Sequence, residues 1–263
     1  MGMKDQVRLD RFLAEEGIGS RADVKKMIRA GRVMVNRERA RQGDRKIDPE
    51  EDEVLADGKR VRRNSALTLM LNKPAGVVSA TKDENERTVI DLIGEPWAKR
   101  LFPVGRLDKD TEGLLLLTAD GAMSHRLLSP GKHVEKTYFA VVSGAPDPEL
   151  AERFREGIEI GEKRKTLPAG LRFLSGNEPA DEALTPEDLA RCGEGECCVI
   201  VSITEGKYHQ IKRMFGAAGR EVHYLKRIAM GRLRLDPALS SGRYRPLTDE
   251  EQKRLCPETD ADS

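Results

Sequence analysis

Val104-Gly105-Arg106-Leu107-Asp108-Lys109-Asp110-Thr111-Glu112-Gly113-Leu114-Leu115-Leu116-Leu117-Thr118 sets one carboxylate beside an arginine and then runs straight into an apolar segment. This is the pattern of a loop that delivers Asp108 from a rigid core. An aspartate held partly out of water needs a cation or donors beside it, and Arg106, two residues earlier, is a partner that would keep it ionised. In that state it can act as a nucleophile or as a base. An isolated Arg-x-Asp is ordinarily a surface turn with an ion pair. What distinguishes this one is the length of the run around it.

Upstream, Leu67-Thr68-Leu69-Met70-Leu71-Asn72-Lys73-Pro74-Ala75-Gly76-Val77-Val78-Ser79 reads as strand, Pro-Gly turn and second strand, and residues 88–93 as a short helix. Downstream, residues 121–128 read as a helix, 138–142 as a strand, 148–156 as a helix and 197–204 as a strand. Lys136-Thr137-Tyr138 places a tyrosine at the start of a strand. Glu205-Gly206-Lys207-Tyr208-His209-Gln210-Ile211-Lys212-Arg213-Met214-Phe215 predicts a helix from about 208 to just before Gly219, with Ile211, Met214 and Phe215 buried. Lys212 and Arg213 cannot both share that face, so one looks into the cleft while the other meets phosphate. Residues 205–234 carry 8 Lys and Arg against 2 Asp and Glu, a basic region.

The run Gly-Arg-Leu-Asp, Asp-Thr, Gly-Leu-Leu-Leu-Leu-Thr, closing on Asp120-Gly121, resembles the signature of pseudouridine synthases of the RsuA-type branch. Asn-Lys-Pro-x-Gly, Lys-x-Tyr and Gly-x-x-His-Gln-Ile-Lys are similar to further motifs of that family. The resemblance implies an isomerase that converts uridine in RNA to pseudouridine without a cofactor. It implies Asp108 as the catalytic residue, Tyr138 stacked on the uracil, Lys212 paired with Asp108, and Arg106 helping to position it. No carboxylate or metal cluster surrounds His209 in the sequence, so it is read as structural or RNA-contacting.

The N-terminal segment contains two short amphipathic helices separated by glycines, residues 9–16 and 21–29, the second with Ser20 as N-cap. Ala22, Val24, Met27 and Ile28 are expected to face a core, leaving Arg21, Lys25, Lys26, Arg29 and Arg32 as a basic flank for an RNA backbone. Followed by Gly31 and Val33-Met34-Val35-Asn36, this order resembles the S4 RNA-binding domain. Residues 1–62 are assigned to it, with a linker to about 66. The expected architecture is thus α+β: a small S4-like RNA-binding domain, then a catalytic domain over 67–250 built on an antiparallel or mixed β-sheet with flanking helices. An acidic surface insert is expected over 176–196 and a polar tail over 251–263. Lys73, Lys207 and Arg213 join the expected RNA contacts.

At 263 residues and 38% hydrophobic content, the chain suits one sizeable core plus a satellite domain. The net charge of +1 averages unlike regions: residues 1–46 hold 13 Lys and Arg against 7 Asp and Glu, residues 175–196 hold 1 against 7. Local positive faces for phosphate survive that average. Cys192, Cys197, Cys198 and Cys256 lack metal-ligand spacing, so free thiols and no metal are expected. The start carries no apolar signal region and no run approaches membrane-spanning length, so the expectation is a cytoplasmic monomer. Within the branch, Ser124-His125-Arg126-Leu127-Leu128-Ser129-Pro130 and Tyr244-Arg245-Pro246-Leu247-Thr248 are more similar to small-subunit than to large-subunit members. This implies 16S rRNA as partner, free or in a 30S assembly intermediate, with uridine 516 as target. A 23S rRNA enzyme of the same branch and a non-catalytic RNA-binding assembly protein are the alternatives.

Overall fold

The computed structural model describes residues 6–49, 51–61, 67–129, 131, 133–175 and 181–255. The expected linker (62–66), Pro130 of the small-subunit motif, the first part of the insert (176–180) and the tail from 256 lie outside them. Two compact units emerge, residues 1–67 with 94–101, and residues 68–93 with 102–263. No described helix is long and apolar enough to cross a membrane.

In the first unit β1 (Val7–Arg8) leads into α1 (Leu9–Glu15) and α2 (Arg21–Arg29), followed by β2 (Val33–Val35), β3 (Glu38–Arg39), β4 (Lys46–Ile47), β5 (Val54–Ala56) and β6 (Lys59–Val61). Antiparallel pairs order four of these as β3-β2-β5-β6, and β1 pairs β4. Ser20 caps α2, its hydroxyl accepting the Asp23 amide at 3.2 Å. Val24 and Ile28 join Leu9, Phe12 and Leu13 in a small core, Met27 packs at its edge, and Ala22 is exposed instead of facing inward. Arg21, Lys25, Lys26 and Arg29 are exposed along α2. Arg32 departs from that flank, since its guanidinium forks onto Asp57 with two contacts of 2.6 Å. A 3₁₀ helix, Pro96–Arg100, joins this unit although it lies far along the chain: Arg100 donates to the Glu15 carbonyl and the Glu16 carboxylate, both at 2.8 Å.

The second unit is built on β7 (Thr68–Lys73), β8 (Phe102–Pro103), β9 (Glu112–Thr118), β10 (Lys136–Ser143), β11 (Gly170–Phe173), β12 (Glu196–Ile203), β13 (Val222–Met230), β14 (Leu233–Arg234) and β15 (Tyr244–Pro246). They form one mixed sheet, ordered β11-β12-β10-β13-β9-β7-β15, with β14 on β13 and β8 on β9. Helices α3 (Gly121–Leu128), α4 (Pro148–Glu156), α5 (Pro186–Leu189), α6 (Gln210–Ala217) and α7 (Asp249–Leu255) flank it. Leu114 to Leu117 are wholly buried, as a central strand covered on both faces requires. Phe154 of α4 and Phe215 of α6 meet at 4.9 Å between ring centroids.

The parallel junction of β13 with β9 places the site. Lys226 pairs with Glu112 and Arg227 with Gly113, while all other named strand pairs are antiparallel. Gly113 has φ of +98°, and a Cβ there would lie 2.3 Å from the Arg227 carbonyl oxygen, so only glycine permits the approach. The turn carrying Asp108 projects from the start of β9, beside this junction.

Further expectations change in this unit. Residues 88–93 form turns, not a helix, because Thr88 closes on Asp91 through its amide and hydroxyl, both at 2.8 Å. The second strand expected before Ser79 reduces to a single bridge between Val78 and Thr88. The acidic insert is docked from residue 181 onward: Thr185 and Asp188 form a capping box at α5, and Asp188, buried, meets Lys226 at 2.5 Å. Acidic composition reads as a surface loop, but one aspartate with a buried cation opposite it becomes an anchor.

The expected tail also begins later, since α7 runs to Leu255, which packs into the core. Arg245 holds this helix by a fork onto Glu251, both contacts 2.7 Å, and that bond pulls the Glu251 carboxyl down to about 2. A carboxyl depressed in the folded state stabilises fully above its unfolded pKa and loses that contribution as pH falls through its folded one. Glu251→Gln is therefore expected to lower the melting temperature at pH 7, with the gap to the unaltered protein closing between about pH 4.5 and pH 2. A gap independent of pH would show that packing, not charge, anchors α7.

Candidate active site

The turn that carries Asp108 is held from below by a buried lysine. Lys73 is wholly inaccessible, and its ammonium donates to the carbonyl oxygens of Pro74, Asp108, Lys109 and Thr111 at 2.9–3.2 Å. This corrects the expectation that Lys73 contacts RNA: a lysine ending a fully buried strand points its charge into a carbonyl cradle, where phosphate has no access. Burial pushes its amine down to about 8, against the pull of Asp110, Glu112 and Asp108. Ser79 adds a second tie, its hydroxyl accepting the Leu107 amide at 3.0 Å and donating to the Leu107 carbonyl at 2.9 Å. The Gly76 amide adds a third, to the Lys109 carbonyl at 2.8 Å. Asn-Lys-Pro-x-Gly and the Asp108 turn are thus one mechanical unit.

Asp108 is 29% exposed at the edge of a cleft of about 430 Å³. Its ion pairs among the described residues are with His209, Nε2 to Oδ1 3.5 Å, and Lys212, Nζ to Oδ2 3.8 Å. Arg106, expected as the partner, is exposed and lines the cleft without pairing with Asp108. Two residues along an extended turn the side chain points elsewhere, and the groups that reach Asp108 come from a hundred residues away. Lys212 bonds more closely to Asp110, at 2.5 and 2.7 Å. Burial alone would raise the Asp110 carboxyl, but the Lys212 bond and charge outweigh it and hold it below the usual range. Lys212 therefore bridges two carboxylates where a single pair with Asp108 was expected.

His209 gains the most over its reading from sequence. It is the N-cap of α6 with φ of +48°, a left-handed conformation that costs a residue with a Cβ on the order of 1 kcal/mol. The conformation brings its imidazole to Asp108 and stacks it on Tyr208, 3.9 Å between centroids and 16° apart. Tyr208 itself is 71% exposed. Gln210, buried, braces the bend by accepting the Lys207 amide at 2.9 Å and donating to Glu205 at 3.0 Å. The sequence predicted a helix from about Tyr208, whereas α6 starts at Gln210, because backbone sign and a contact spanning a hundred residues have no local signature.

Tyr138 lies on β10, 8% exposed, with its ring in the cleft. It sits directly opposite Arg227 of β13, where a register shift between Thr137 and Tyr138 breaks the ladder. Such irregularities re-aim side chains beside sites. Lys207 and Arg213, expected on RNA, both turn inward on residues 160–165. Lys207 reaches the carbonyls of Arg164 and Lys165 at 3.3 Å. Arg213 bonds Glu162 at 2.8 Å, the Tyr208 carbonyl at 3.1 Å and the Ile160 carbonyl.

A carboxylate flanked by a lysine ammonium and an imidazole, with a phenol ring in the same cleft, can attack an electrophilic carbon or take a proton beside a flat substrate. The family model for RNA pseudouridylate synthases matches residues 68–217, which include every group just described save Arg227, and that of the S4 domain matches residues 7–54. The chain belongs to the RNA pseudouridylate synthase family. The synthase is 44% identical over 246 residues to the uncharacterized RNA pseudouridine synthase YtzG of Bacillus subtilis, covering 93% of this chain and 96% of that one. It is 39% identical to ribosomal small subunit pseudouridine synthase A of Escherichia coli, over 93% of this chain and 98% of that one. A crystal structure of a pseudouridylate synthase superposes with a TM-score of 0.62 at 36% identity, over 95% of this chain and 99% of that one. The α+β architecture, an S4 domain followed by a synthase domain on a mixed sheet, stands as expected.

Proposed function

We propose that the synthase converts a uridine of 16S rRNA to pseudouridine, with uridine 516 as the target, and that Asp108 is its catalytic group. The observation that carries the reading is the Asp108 carboxylate at the cleft edge, held by Lys73 through its backbone and faced by His209 and Lys212. Similarity over nearly the whole length to a protein named for the small ribosomal subunit supports the choice of RNA.

The N1–C1′ bond of the uridine breaks, the freed uracil turns in the cleft, and C5 joins C1′. Asp108 attacks C1′ or removes a ribose proton. Lys212 and His209 face its carboxylate and position it, and Tyr138 gives the extruded base a face to stack on. Arg106, exposed at the mouth, is placed to meet the displaced RNA strand. The exposed α2 cations Arg21, Lys25, Lys26 and Arg29 supply phosphate contacts in the S4 domain. The synthase acts as a cytoplasmic monomer on free 16S rRNA or on a 30S assembly intermediate.

Pseudouridine mapping on unmodified 16S and 23S rRNA, free and partly assembled with ribosomal proteins, tests this. One new site in 16S is the expected result. A site in 23S moves the synthase to the large-subunit branch, and binding without modification of any substrate makes it an assembly factor.

A further inference from the structure

The cleft has a positively charged floor that the roles above leave unused. Arg227 is 2% exposed, its Nε donates to the Leu114 carbonyl at 2.7 Å, and its Nη2 is buried without a hydrogen-bond partner. Native proteins leave few buried donors unpaired, and one on a guanidinium is among the costliest. Lys136 shares its side of the sheet, two residues before Tyr138, and Tyr138 stands directly across from Arg227. Both cations line the cleft, and burial together with the charge of Arg227 depresses the Lys136 amine. Thr111, also in the cleft wall, has a buried hydroxyl without a partner. Two like charges and two unmet polar groups gathered in one cleft call for an anionic, oxygen-bearing ligand.

We propose that Arg227, assisted by Lys136, is a catalytic residue that binds the uracil carbonyl oxygens and stabilises the anion formed when the base leaves the sugar. Ile203, Leu225 and Met230 complete the cleft with apolar surface suited to a flat ring beside Tyr138. When the N1–C1′ bond breaks, its electron pair stays on the uracil, and the negative charge spreads over N1, O2 and O4. C5 then forms the new bond to C1′ and loses its proton, and N1 gains one, so the balance is that of an isomerisation. A donor fixed in the cleft wall before the reaction would stabilise that charge more than it stabilises the neutral bound base. Depth favours base over phosphate: the phosphates of an extruded nucleotide stay at the mouth, where Arg106 is exposed, while Arg227 is almost inaccessible.

The inference rests on the proposed reaction, and one experiment separates the two. Single-turnover rates and RNA affinities are measured for the unaltered synthase, Arg227→Gln and Arg227→Lys on 16S transcripts made with uridine or with 5-fluorouridine, following glycosidic cleavage. Fluorine makes the departing base a more stable anion that needs less help. Arg227→Gln is expected to slow uridine cleavage about 100- to 1,000-fold at nearly constant RNA affinity, with a clearly smaller loss on 5-fluorouridine, and Arg227→Lys to recover part of the rate. Equal losses on both substrates, or a loss confined to affinity, overturn the assignment while leaving the reaction intact. No cleavage by the unaltered synthase would remove the reaction and this inference with it. Should Arg227→Gln fail to fold, Lys136→Gln carries the same comparison, with a smaller loss expected and the same outcomes decisive.

Discussion

Asp108→Asn is expected to abolish pseudouridine formation, by about 1,000-fold or more, while leaving fold and RNA binding in place. The amide matches the carboxylate in shape but neither attacks carbon nor takes a proton. The backbone around it is fixed independently, by Lys73, Ser79 and the Gly76 amide. Lys212 keeps its closer partner Asp110, so the substitution frees no buried charge. Turnover on the mapped rRNA, melting temperature and RNA affinity should therefore separate cleanly, with the first lost and the others retained. Normal turnover by the variant would end the assignment of Asp108.

Lys73→Met is expected to act through structure. It strips a donor from four carbonyl oxygens and should destabilise the protein by about 3–5 kcal/mol. Urea unfolding measures this, and a loss under about 1 kcal/mol would mean the cradle is satisfied in another way. Any folded fraction should also turn over slowly, since the Asp108 turn loses its tie to β7. The same lysine ties activity to pH. Its folded pKa of about 8 lies below the unfolded value of 10.5, so the folded state binds fewer protons between them, and this group's contribution to stability rises with pH across that window. The neutral amine has one donor fewer for the cradle, so turnover should fall as pH passes about 8 even while global stability from this group rises.

Much of the synthase was legible as local pattern. Ser20 caps α2 as read, Gly121–Leu128 and Pro148–Glu156 are helices as read, and Tyr138 stands in a strand. Periodicity and caps act over a few residues, so they survive in the sequence as spacing. Lys73, Arg106 and His209 were misjudged for the opposite reason. Charge makes a lysine look solvated, proximity in sequence makes Arg106 look like a partner, and the lack of neighbouring carboxylates makes His209 look structural or RNA-contacting. Each judgement depended on which distant groups surround the side chain. Asp188 of the acidic insert is the same case, its burial set by Lys226 on another element. Arg227 carried no signal beyond lying in a basic region, and only its burial with an unmet N–H singles it out.

The sequence by itself determined the S4 and synthase domains, the buried leucine strand, and Asp108 and Tyr138 as residues to watch, because periodicity, turn chemistry and motif spacing are short-range properties. Tertiary structure decided which side chains face Asp108, that Lys73 serves the backbone and not the RNA, and that Arg227 lies buried in the cleft wall with an unmet N–H. Those outcomes follow from burial and from contacts across the parallel β9–β13 junction, where groups a hundred residues apart set each other's desolvation and hydrogen bonding.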